Sequence, residues 1–356
     1  MKLRRSDDEM QGFIRRPLMG IIPPYMLKMI VQNGSTSQKA QALKSLMVSE
    51  KIRGRREALG QFYVSAPSGA KSIRVYDAHN TQNLPGTTIQ NPAKNKDIAV
   101  REAYNGASIT YDLFKSVFDR DSIDDKGMCI DSTVHYDKDY DNAFWDGKQM
   151  VYGDGDGDLF NRFTLSVDVI GHELTHGVTE YEAGLEYADQ PGALNESMSD
   201  VFGSLVKQKS KKQTAEKADW LIGEGLFTKK VHGKALRSMK APGTAYDDPV
   251  LGKDPQPATM KDYVKTTDDN GGVHLNSGIP NRAFCIAAQE IGGYAWEKAG
   301  MIWYTALRDR IRPKSNFTQA ANITFSVAAE LYGKGSEEQL AVKKGWTDVG
   351  VKITKK

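Results

Sequence analysis

Two histidines and a glutamate have the spacing of a metal-binding helix. Residues 171–176 read GHELTH, so His172 and His176 are four positions apart and face the same side of a helix. Neutral imidazoles are good ligands for Zn²⁺, and Glu173 beside the first of them could act as general base on a water at the metal. The alternative is a chance HExxH pattern on a surface helix, so other residues must decide.

A third ligand is expected, because a catalytic zinc takes three protein ligands and leaves one position open. Glu196 follows on the next predicted helix and is a good candidate. Asp200 lies one turn further on the same face, where it could accept the second N–H of a ligand histidine. Alone, both would be ordinary helix acids; after the HExxH pattern they favour a three-ligand site.

A third histidine has features of an oxyanion-stabilising group. His274 stands where a glycine turn meets a helix start, and Asp269 lies five residues before it, able to orient and charge it. An imidazolium there could stabilise a tetrahedral intermediate, and Tyr187 could donate a second hydrogen bond. The other histidines have no such companions and are interpreted as structural: His79, His135 and His232.

Strand and helix patterns predict an α+β fold in three parts. Residues 1–65 form an N-terminal segment with a helix predicted over 37–59 and a linker over 65–69. Residues 66–182 form a β-rich lobe that ends in the HExxH helix, and residues 183–356 form a helical lobe. Strands are predicted over 73–76, 132–136 and 149–152, a turn over 154–158, and helices over 107–118, 166–181, 193–208, 276–291, 293–310 and 317–332.

Composition limits the partners that the chain could have. The chain has 48 basic and 45 acidic residues, a net charge of +3, which argues against nucleic-acid or membrane-surface binding. Two cysteines imply no disulfide framework. The opening MKLRRSDDEMQGF carries acids where a secretory signal would be apolar. We therefore expect a monomer that is secreted without a recognisable signal peptide, with a cytoplasmic location as the alternative.

Three separated motifs resemble one known family. The HELTH motif, then Asn195-Glu196, then Gly271-Gly272-Val273-His274 are similar in order and type to the thermolysin family, and the resemblance runs from about Asp77 to the C-terminus. It implies a zinc endopeptidase with one catalytic zinc. It also implies a precursor, because some members have short N-terminal segments with a Pro-Pro-aromatic-hydrophobic motif, as this chain has at Pro23, Pro24, Tyr25, Met26 and Leu27.

The resemblance further implies substrate-binding residues. Asn142 and the backbone of Ala143 would bind the substrate backbone, Arg237 would bind the carbonyl beyond the scissile bond, and cleavage would precede bulky apolar residues. The pocket for the residue after the cut would be lined by Phe160, Phe163, Val169, Leu226 and Leu236. The residues expected to support the ligands and His274, without binding the metal, are Asp200, Asn195 and Asp269.

One departure from the family concerns calcium. Members with a double calcium site use a cluster of carboxylates, and here the matching positions include Lys207 and Leu221. An ammonium beside acids can replace the charge of a calcium ion, so the double site is not expected, while a single weaker ion stays open. The full set of matching positions is Asp168, Lys207, Asp219, Leu221 and Glu224.

The apolar island at residues 23–27 is expected at the cleft, placed for inhibition. Two prolines fix φ and lack N–H donors, which argues against substrate-like strand pairing there. Tyr25, Met26 and Leu27 would suit the specificity pocket; the alternative is a folding aid packed on the β-rich lobe. Self-processing is expected between Glu50 and Ala70, where exposed chain is predicted. Two rival functions are a zinc-binding module without catalysis and a zinc hydrolase acting on esters or small amides.

Overall fold

The computed structural model describes residues 19–59 and 70–354, and it contains two lobes with the N-terminal segment lying across them. The predicted linker at 65–69 and the opening residues 1–13 lie outside the described residues, as do residues 60–69 of the predicted processing window. The two-lobed α+β architecture predicted from the sequence is confirmed. No helix within the described ranges is long and apolar enough to cross a membrane.

The N-terminal segment consists of a short strand and two helices. These are β1 (Met19–Gly20), α1 (Pro24–Asn33) and α2 (Thr36–Leu59). The helix predicted over 37–59 is confirmed as α2, whereas α1 was not predicted. Pro24 occupies the first turn of α1, where its fixed φ and missing N–H cost nothing, so the proline pair starts a helix.

A six-stranded mixed sheet forms the β-rich lobe and includes a strand from the N-terminal segment. The sheet has the order β1-β5-β6-β4-β2-β3. Strands β2, β4 and β6 are parallel, while β5 pairs antiparallel with β6, and β1 pairs antiparallel with β5 at the edge. The body of the lobe supplies β2 (Ile73–Thr81), β3 (Thr87–Thr88), β4 (Ile130–Tyr136), β5 (Ala143–Trp145) and β6 (Gln149–Tyr152).

One long helix packs on this sheet. Helix α3 (Ile98–Phe118) begins well before the predicted start at 107, because the Asp97 side chain accepts a hydrogen bond from the Ala99 N–H and caps it there. The turn predicted over 154–158 is confirmed. Its Asp156 carboxylate accepts three successive backbone N–H groups, from Asp158, Leu159 and Phe160.

The rest of the chain is mainly helical, as predicted, with short strand pairs between α5 and α6. One helix near the C-terminus, α10, was not predicted. The helices are α4 (Val167–Tyr181), α5 (Asp189–Lys211), α6 (Asp269–Asn276), α7 (Gly278–Ile291), α8 (Ala299–Asp309), α9 (Phe317–Tyr332) and α10 (Glu337–Asp348). The strand pairs are β7 (Leu221–Ile222) with β8 (Arg237–Ser238), and β9 (Asp247–Asp248) with β10 (Gly252–Lys253).

Helices α4 and α5 cross very closely because each has a glycine at the contact. A Cβ on Gly171 would lie 3.1 Å from the Cα of Gly203. A Cβ on Gly203 would lie 2.4 Å from the backbone oxygen of Asp168, which no real contact tolerates. The two glycines therefore set the separation of the helices that carry the candidate metal ligands.

His135 joins β4 to the loop that follows β6. Its Nδ1 lies 2.8 Å from Asp154 and its Nε2 lies 3.0 Å from Asp97, the cap of α3. The hydrogen bond that His135 donates to Asp154 outweighs the opposing effect of burial and, with the charges of both aspartates, raises the pKa of His135 to about 9. This histidine is thus structural, in line with the sequence interpretation.

We expect His135→Gln to destabilise the fold more at pH 6 than at pH 10. A histidine whose folded-state pKa is raised contributes stability that is fully present below its unfolded value near 6.5 and is lost as pH rises through about 9. Thermal unfolding midpoints of variant and parent at both pH values measure this. His79→Gln, on an exposed side chain, is the control. Equal destabilisation at both pH values would contradict the ionic role.

Candidate active site

Three buried side chains from α4 and α5 converge with the geometry of a metal site. The Nε2 atoms of His172 and His176 are 3.0 Å apart, and each lies 3.5 Å from an oxygen of Glu196. Tetrahedral zinc with Zn–N distances of about 2.0–2.1 Å separates its ligand atoms by roughly 3.4 Å. Among the described residues, this is the one group of three histidine, cysteine or acidic side chains that could hold a metal.

The polar atoms of this triad fit a cation. Glu196 Oε2 is buried and has no hydrogen-bond partner, an acceptor that a metal ion would satisfy. His176 donates from Nδ1 to Asn195, 2.8 Å away, which leaves Nε2 as the lone-pair atom facing Glu196. Burial lowers the pKa of His176 to about 3, so the imidazole is in its neutral, metal-binding form.

Asp200 supports the site through the ligand histidine His172. It is fully buried and accepts the Nδ1 proton of His172 at 2.7 Å. It also accepts two hydrogen bonds from Arg237, both 2.8 Å, and one from Asn281. The side chain that orients one ligand histidine therefore also fixes Arg237, and Asn281 is a supporting residue that the sequence did not suggest.

Glu173 lies next to the triad and is poised for proton transfer. It is fully buried on α4, and its Oε2 accepts the backbone N–H of Trp145 in β5 at 3.1 Å. Burial and the nearby charge of Glu196 raise its pKa well above the usual range. A carboxylate with a raised pKa can both take up and return a proton near neutral pH.

Tyr187 and His274 approach Glu196 from the helical lobe. The Tyr187 hydroxyl donates to Glu196 and lies 3.3 Å from His274 Nε2. The other ring nitrogen of His274 lies 2.7 Å from Asp269. Although burial opposes the positive charge, the charges of Asp269 and Glu196 raise the pKa of His274 to about 9. Two donors, one of them charged, thus project to the same side of the triad.

The predicted substrate-binding residues contact the N-terminal segment. The N–H of Ile21 donates to Ala143 O at 3.1 Å, and the N–H of Ile22 donates to Asn142 Oδ1 at 3.0 Å. Arg237 donates from Nη1 to the Ile21 carbonyl at 3.2 Å. All three residues expected to hold a substrate backbone therefore hold the backbone of this chain itself.

The five predicted pocket residues are buried in the main hydrophobic core of the protein, a large core to which Ile21 also belongs. The rings of Phe160 and Phe163 are 6.0 Å apart, and Leu226 and Leu236 meet over Gly223. Ile222 belongs to the same cluster, and its carbonyl accepts the Leu236 N–H; the sequence analysis missed it. The only sequence signal for Ile222 was an apolar side chain between Leu221 and Gly223. The five residues are Phe160, Phe163, Val169, Leu226 and Leu236.

The island at 23–27 lies at the cleft, but it is not the part beside the catalytic groups. Pro23 and Pro24 begin α1, and burial together with the neighbouring Tyr246 raises the pKa of Tyr25. The residues that contact Asn142, Ala143 and Arg237 are Ile21 and Ile22, just before the prolines. The island itself does not pair as a substrate strand would, in line with the expectation, because it starts a helix; the pairing is made by the residues just before the prolines, which the sequence analysis did not foresee.

Lys207 occupies the position where the family resemblance suggested a calcium ligand. It is 3% exposed, and its ammonium lies 2.9 Å from Asp168, 2.8 Å from Asp219 and 2.6 Å from the Leu221 carbonyl. Despite burial, the charges of Asp168 and Asp219 raise the pKa of Lys207, which keeps it cationic. Glu224 lies apart, 3.7 Å from Lys211 at the surface.

Comparison with known proteins places this geometry in a family. Two family models match the chain: the thermolysin metallopeptidase catalytic domain over residues 40–180 and its alpha-helical domain over residues 183–351. The chain belongs to the thermolysin family. As a thermolysin-family enzyme it is a metalloendopeptidase, as the sequence predicted, and the His172, His176 and Glu196 cluster fits the zinc on which that family depends.

Several relatives align over nearly the whole chain. An "Extracellular metalloprotease" of Pectobacterium carotovorum subsp. carotovorum is 49% identical over 95% of this chain and 98% of its own length. A "Thermolysin" of Bacillus sp. (strain EA1) is 42% identical over 82% of this chain and 53% of its own. A solved structure, the precursor of protealysin from Serratia proteamaculans, is 53% identical with a TM-score of 0.86, covering 94% of this chain and 100% of that one.

We expect the stability of this enzyme to depend little on calcium, because the Lys207 ammonium supplies a positive charge between Asp168 and Asp219. Thermal unfolding with and without added calcium, at constant free zinc, should give nearly the same midpoint. Lys207→Met should destabilise the fold by about 3–5 kcal/mol, since it leaves Asp168 buried without its cation. Lys211→Met, on an exposed side chain of the same helix, is the control. A calcium-dependent shift of many degrees in the parent would contradict this.

Proposed function

We propose that this zinc endopeptidase cuts peptide bonds on the N-terminal side of bulky hydrophobic residues and is made as a precursor that restrains and processes itself. The observation that carries the proposal is the seating of Ile21. Its amide, its carbonyl and the next amide are held by Ala143, Arg237 and Asn142, as a bound peptide would be.

The proposed roles follow from where each side chain lies. When bound, zinc would polarise the scissile carbonyl and lower the pKa of a water molecule to about 7. Glu173 would take the proton from that water and pass it to the leaving nitrogen. His274 and Tyr187 would donate hydrogen bonds to the oxyanion, and Asp269 would keep His274 charged.

The specificity proposal depends on the complete burial of Ile21. Ile21 and the five proposed pocket residues all belong to the main hydrophobic core, and an apolar side chain gains roughly 1.5–3 kcal/mol from such burial. A charged residue in that position would lose this gain and leave its charge unpaired. The contacts to two consecutive peptide units favour a peptide over an ester or small amide as substrate.

A binding module without catalysis is the less suitable function. A structural zinc site needs four closed ligands and none of Glu173, Tyr187 or His274. Digestion of a protein substrate with and without a zinc chelator tests this choice. Zinc-dependent digestion is expected; no digestion would favour the binding module.

Restraint by the N-terminal segment is proposed from its contacts with both lobes. Helix α1 contacts the helical lobe through the Asn33 side chain, which donates to the Val250 carbonyl. Helix α2 contacts the β-rich lobe, where the Lys44 ammonium lies 2.8 Å from Asp137. Through Ile21, which lies just before these helices, the segment occupies the position of a substrate. The similarity to a solved protealysin precursor supports the same interpretation.

Processing and export are further parts of the proposal. Removal of the segment is proposed between residues 50 and 70, by the enzyme itself. Secretion is proposed because relatives that align over nearly the full chain carry the name extracellular metalloprotease. The location of the enzyme in fractionated cultures tests the second point.

We expect Glu173→Gln to keep zinc and to lose peptidase activity by several orders of magnitude, because Glu173 is proposed as the base and not as a ligand. Metal analysis and initial rates on a protein substrate measure the two effects. The same variant should persist as the full 356-residue chain, whereas the parent should shorten to a product starting between 50 and 70. Near-parental activity, or normal maturation of the purified variant, would contradict the proposal.

We expect Ile21→Asp to raise the initial peptidase rate of the full-length chain. A carboxylate at a fully buried apolar position should weaken docking of the segment and open the cleft. Rates are measured immediately after purification, with intact mass recorded in parallel to establish chain length. Leu43→Asp, on the exposed face of α2, is the control and should have no effect. A parental precursor as active as the trimmed enzyme would rule out inhibition.

A further inference from the structure

The backbone of the N-terminal segment lies in the active site with the alignment that a substrate would have, so it does more than block the cleft. We propose that the Gly20–Ile21 bond is a cleavage site of the enzyme, hydrolysed slowly within the same molecule, and that the chain from Ile21 onward stays docked afterwards. This rests on the proposed function, and it adds a scissile bond far from the processing window at 50–70.

Strand pairing fixes the register of this bond. Strand β1 runs antiparallel to β5, with Met19 opposite Trp145 and Gly20 opposite Phe144. The next amide, that of Ile21, continues the ladder by donating to Ala143 O. Strand pairing before the bond and the Ile21 amide after it therefore fix the position of Gly20–Ile21 along the sheet edge.

The peptide unit after the bond is held on both its polar atoms. Arg237 donates to the Ile21 carbonyl at 3.2 Å, and Asn142 accepts the Ile22 N–H at 3.0 Å while its Nδ2 lies 3.4 Å from the Ile22 carbonyl. Only at Pro23 does the chain lose its N–H donor. The prolines therefore leave the contacts around Gly20–Ile21 complete.

The nitrogen of Ile21 lies beside the group that would protonate it. The Glu173 carboxylate lies near the Ile21 N–H, whose hydrogen bond goes to Ala143 O. Glu173 Oε2 is fixed by the Trp145 N–H, whereas Oε1 is buried and has no hydrogen-bond partner. One carboxylate oxygen is thus held in place and the other is available for a proton.

The reaction balances with water as its co-reactant. Water adds to the carbonyl carbon of Gly20, and Glu173 accepts one of its protons. The C–N bond then breaks, and Glu173 passes that proton to the Ile21 nitrogen, which leaves as an amine. The Gly20 carboxylic acid gives up its remaining proton, so the products are a carboxylate at Gly20 and an ammonium group at Ile21.

Two features make this cleavage slow and its product inhibitory. Gly20 has no side chain to anchor the residue before the bond, and a Cβ there would lie 3.1 Å from Ala143 O. The new chain end at Ile21 stays in place because α1 buries Met26, Leu27 and Ile30.

Intact-mass analysis of the purified, zinc-loaded precursor tests the proposal. We expect a product with Ile21 at its N-terminus, lacking residues 1–20, at a rate independent of protein concentration. A fragment starting at Ile21 identifies the cut whether or not the chain is also cut between 50 and 70. A mass-labelled Glu173→Gln precursor mixed into the reaction should stay uncut at this bond, because the reaction is within one molecule.

Variants of Ile21 test whether cleavage depends on the backbone register of the segment or only on its folding. Ile21→Leu should still be cut, since the pocket accepts a bulky apolar residue, and Ile21→Pro should not be, because it lacks the N–H that pairs with Ala143. If Ile21→Pro also fails to fold, a product that starts at position 21 in the Ile21→Leu variant still tests the bond. The cut chain should have the same low peptidase rate as the uncut one.

Two outcomes distinguish this proposal from the proposed function. If the trimmed enzyme cuts a peptide before isoleucine while the precursor keeps its Gly20–Ile21 bond intact for days, the cleavage proposal is overturned and the endopeptidase function stands. If the trimmed enzyme cuts no such peptide, the specificity proposal fails as well. Cleavage whose rate rises in proportion to precursor concentration would also overturn the proposal, because it would occur between molecules.

Discussion

The active site depends on the hydrogen bonds that the buried carboxylate of Asp200 accepts. An ionised group with no exposure to water is tolerated only when donors surround it, and Asp200 accepts from His172, Arg237 and Asn281. Those donors come from α4, β8 and α7, while Asp200 itself is on α5. The orientation of a metal ligand and the position of a substrate-binding guanidinium are thereby fixed by one charge.

This arrangement is possible only because α4 and α5 can approach closely. Gly171 and Gly203 face each other where any side chain would collide with the opposite backbone, so the histidines of α4 come within reach of Glu196 on α5. Further along the same helix pair, Asp168 is buried against the Lys207 ammonium. One helix pair thus has a metal site at one end and an internal ion pair at the other, each offsetting buried carboxylates with positive charge.

Local spacing explains what could be predicted from the sequence. The HExxH pattern and the acids one turn apart at Glu196 and Asp200 are set by the helical period, so the structure brings them together as expected. Helix α10 was missed because its Gly345 weakens the helical pattern. The structure shows why a glycine is present, since a Cβ there would lie 2.3 Å from the Ala283 carbonyl on α7. Ile222 was missed because its burial depends on a two-residue strand paired with distant β8.

The register of the N-terminal segment could not be predicted for a similar reason. A specificity pocket accepts any bulky apolar residue, so composition alone made Tyr25, Met26 and Leu27 as suitable as Ile21. The choice is made by backbone pairing of β1 with β5, more than a hundred residues away in sequence, and by Pro24, which starts a helix immediately afterwards.

A segment that must first block a peptide-binding edge and later leave it has two constraints. Its blocking residues must satisfy the same donors and acceptors as a substrate, and its retention must come from contacts elsewhere. Here those contacts are α1 on one lobe and α2 on the other. Inhibition therefore persists only while the two helices hold Ile21 in the cleft, and cutting the chain after α2 makes the segment a separate molecule that can dissociate, without altering any residue of the catalytic site.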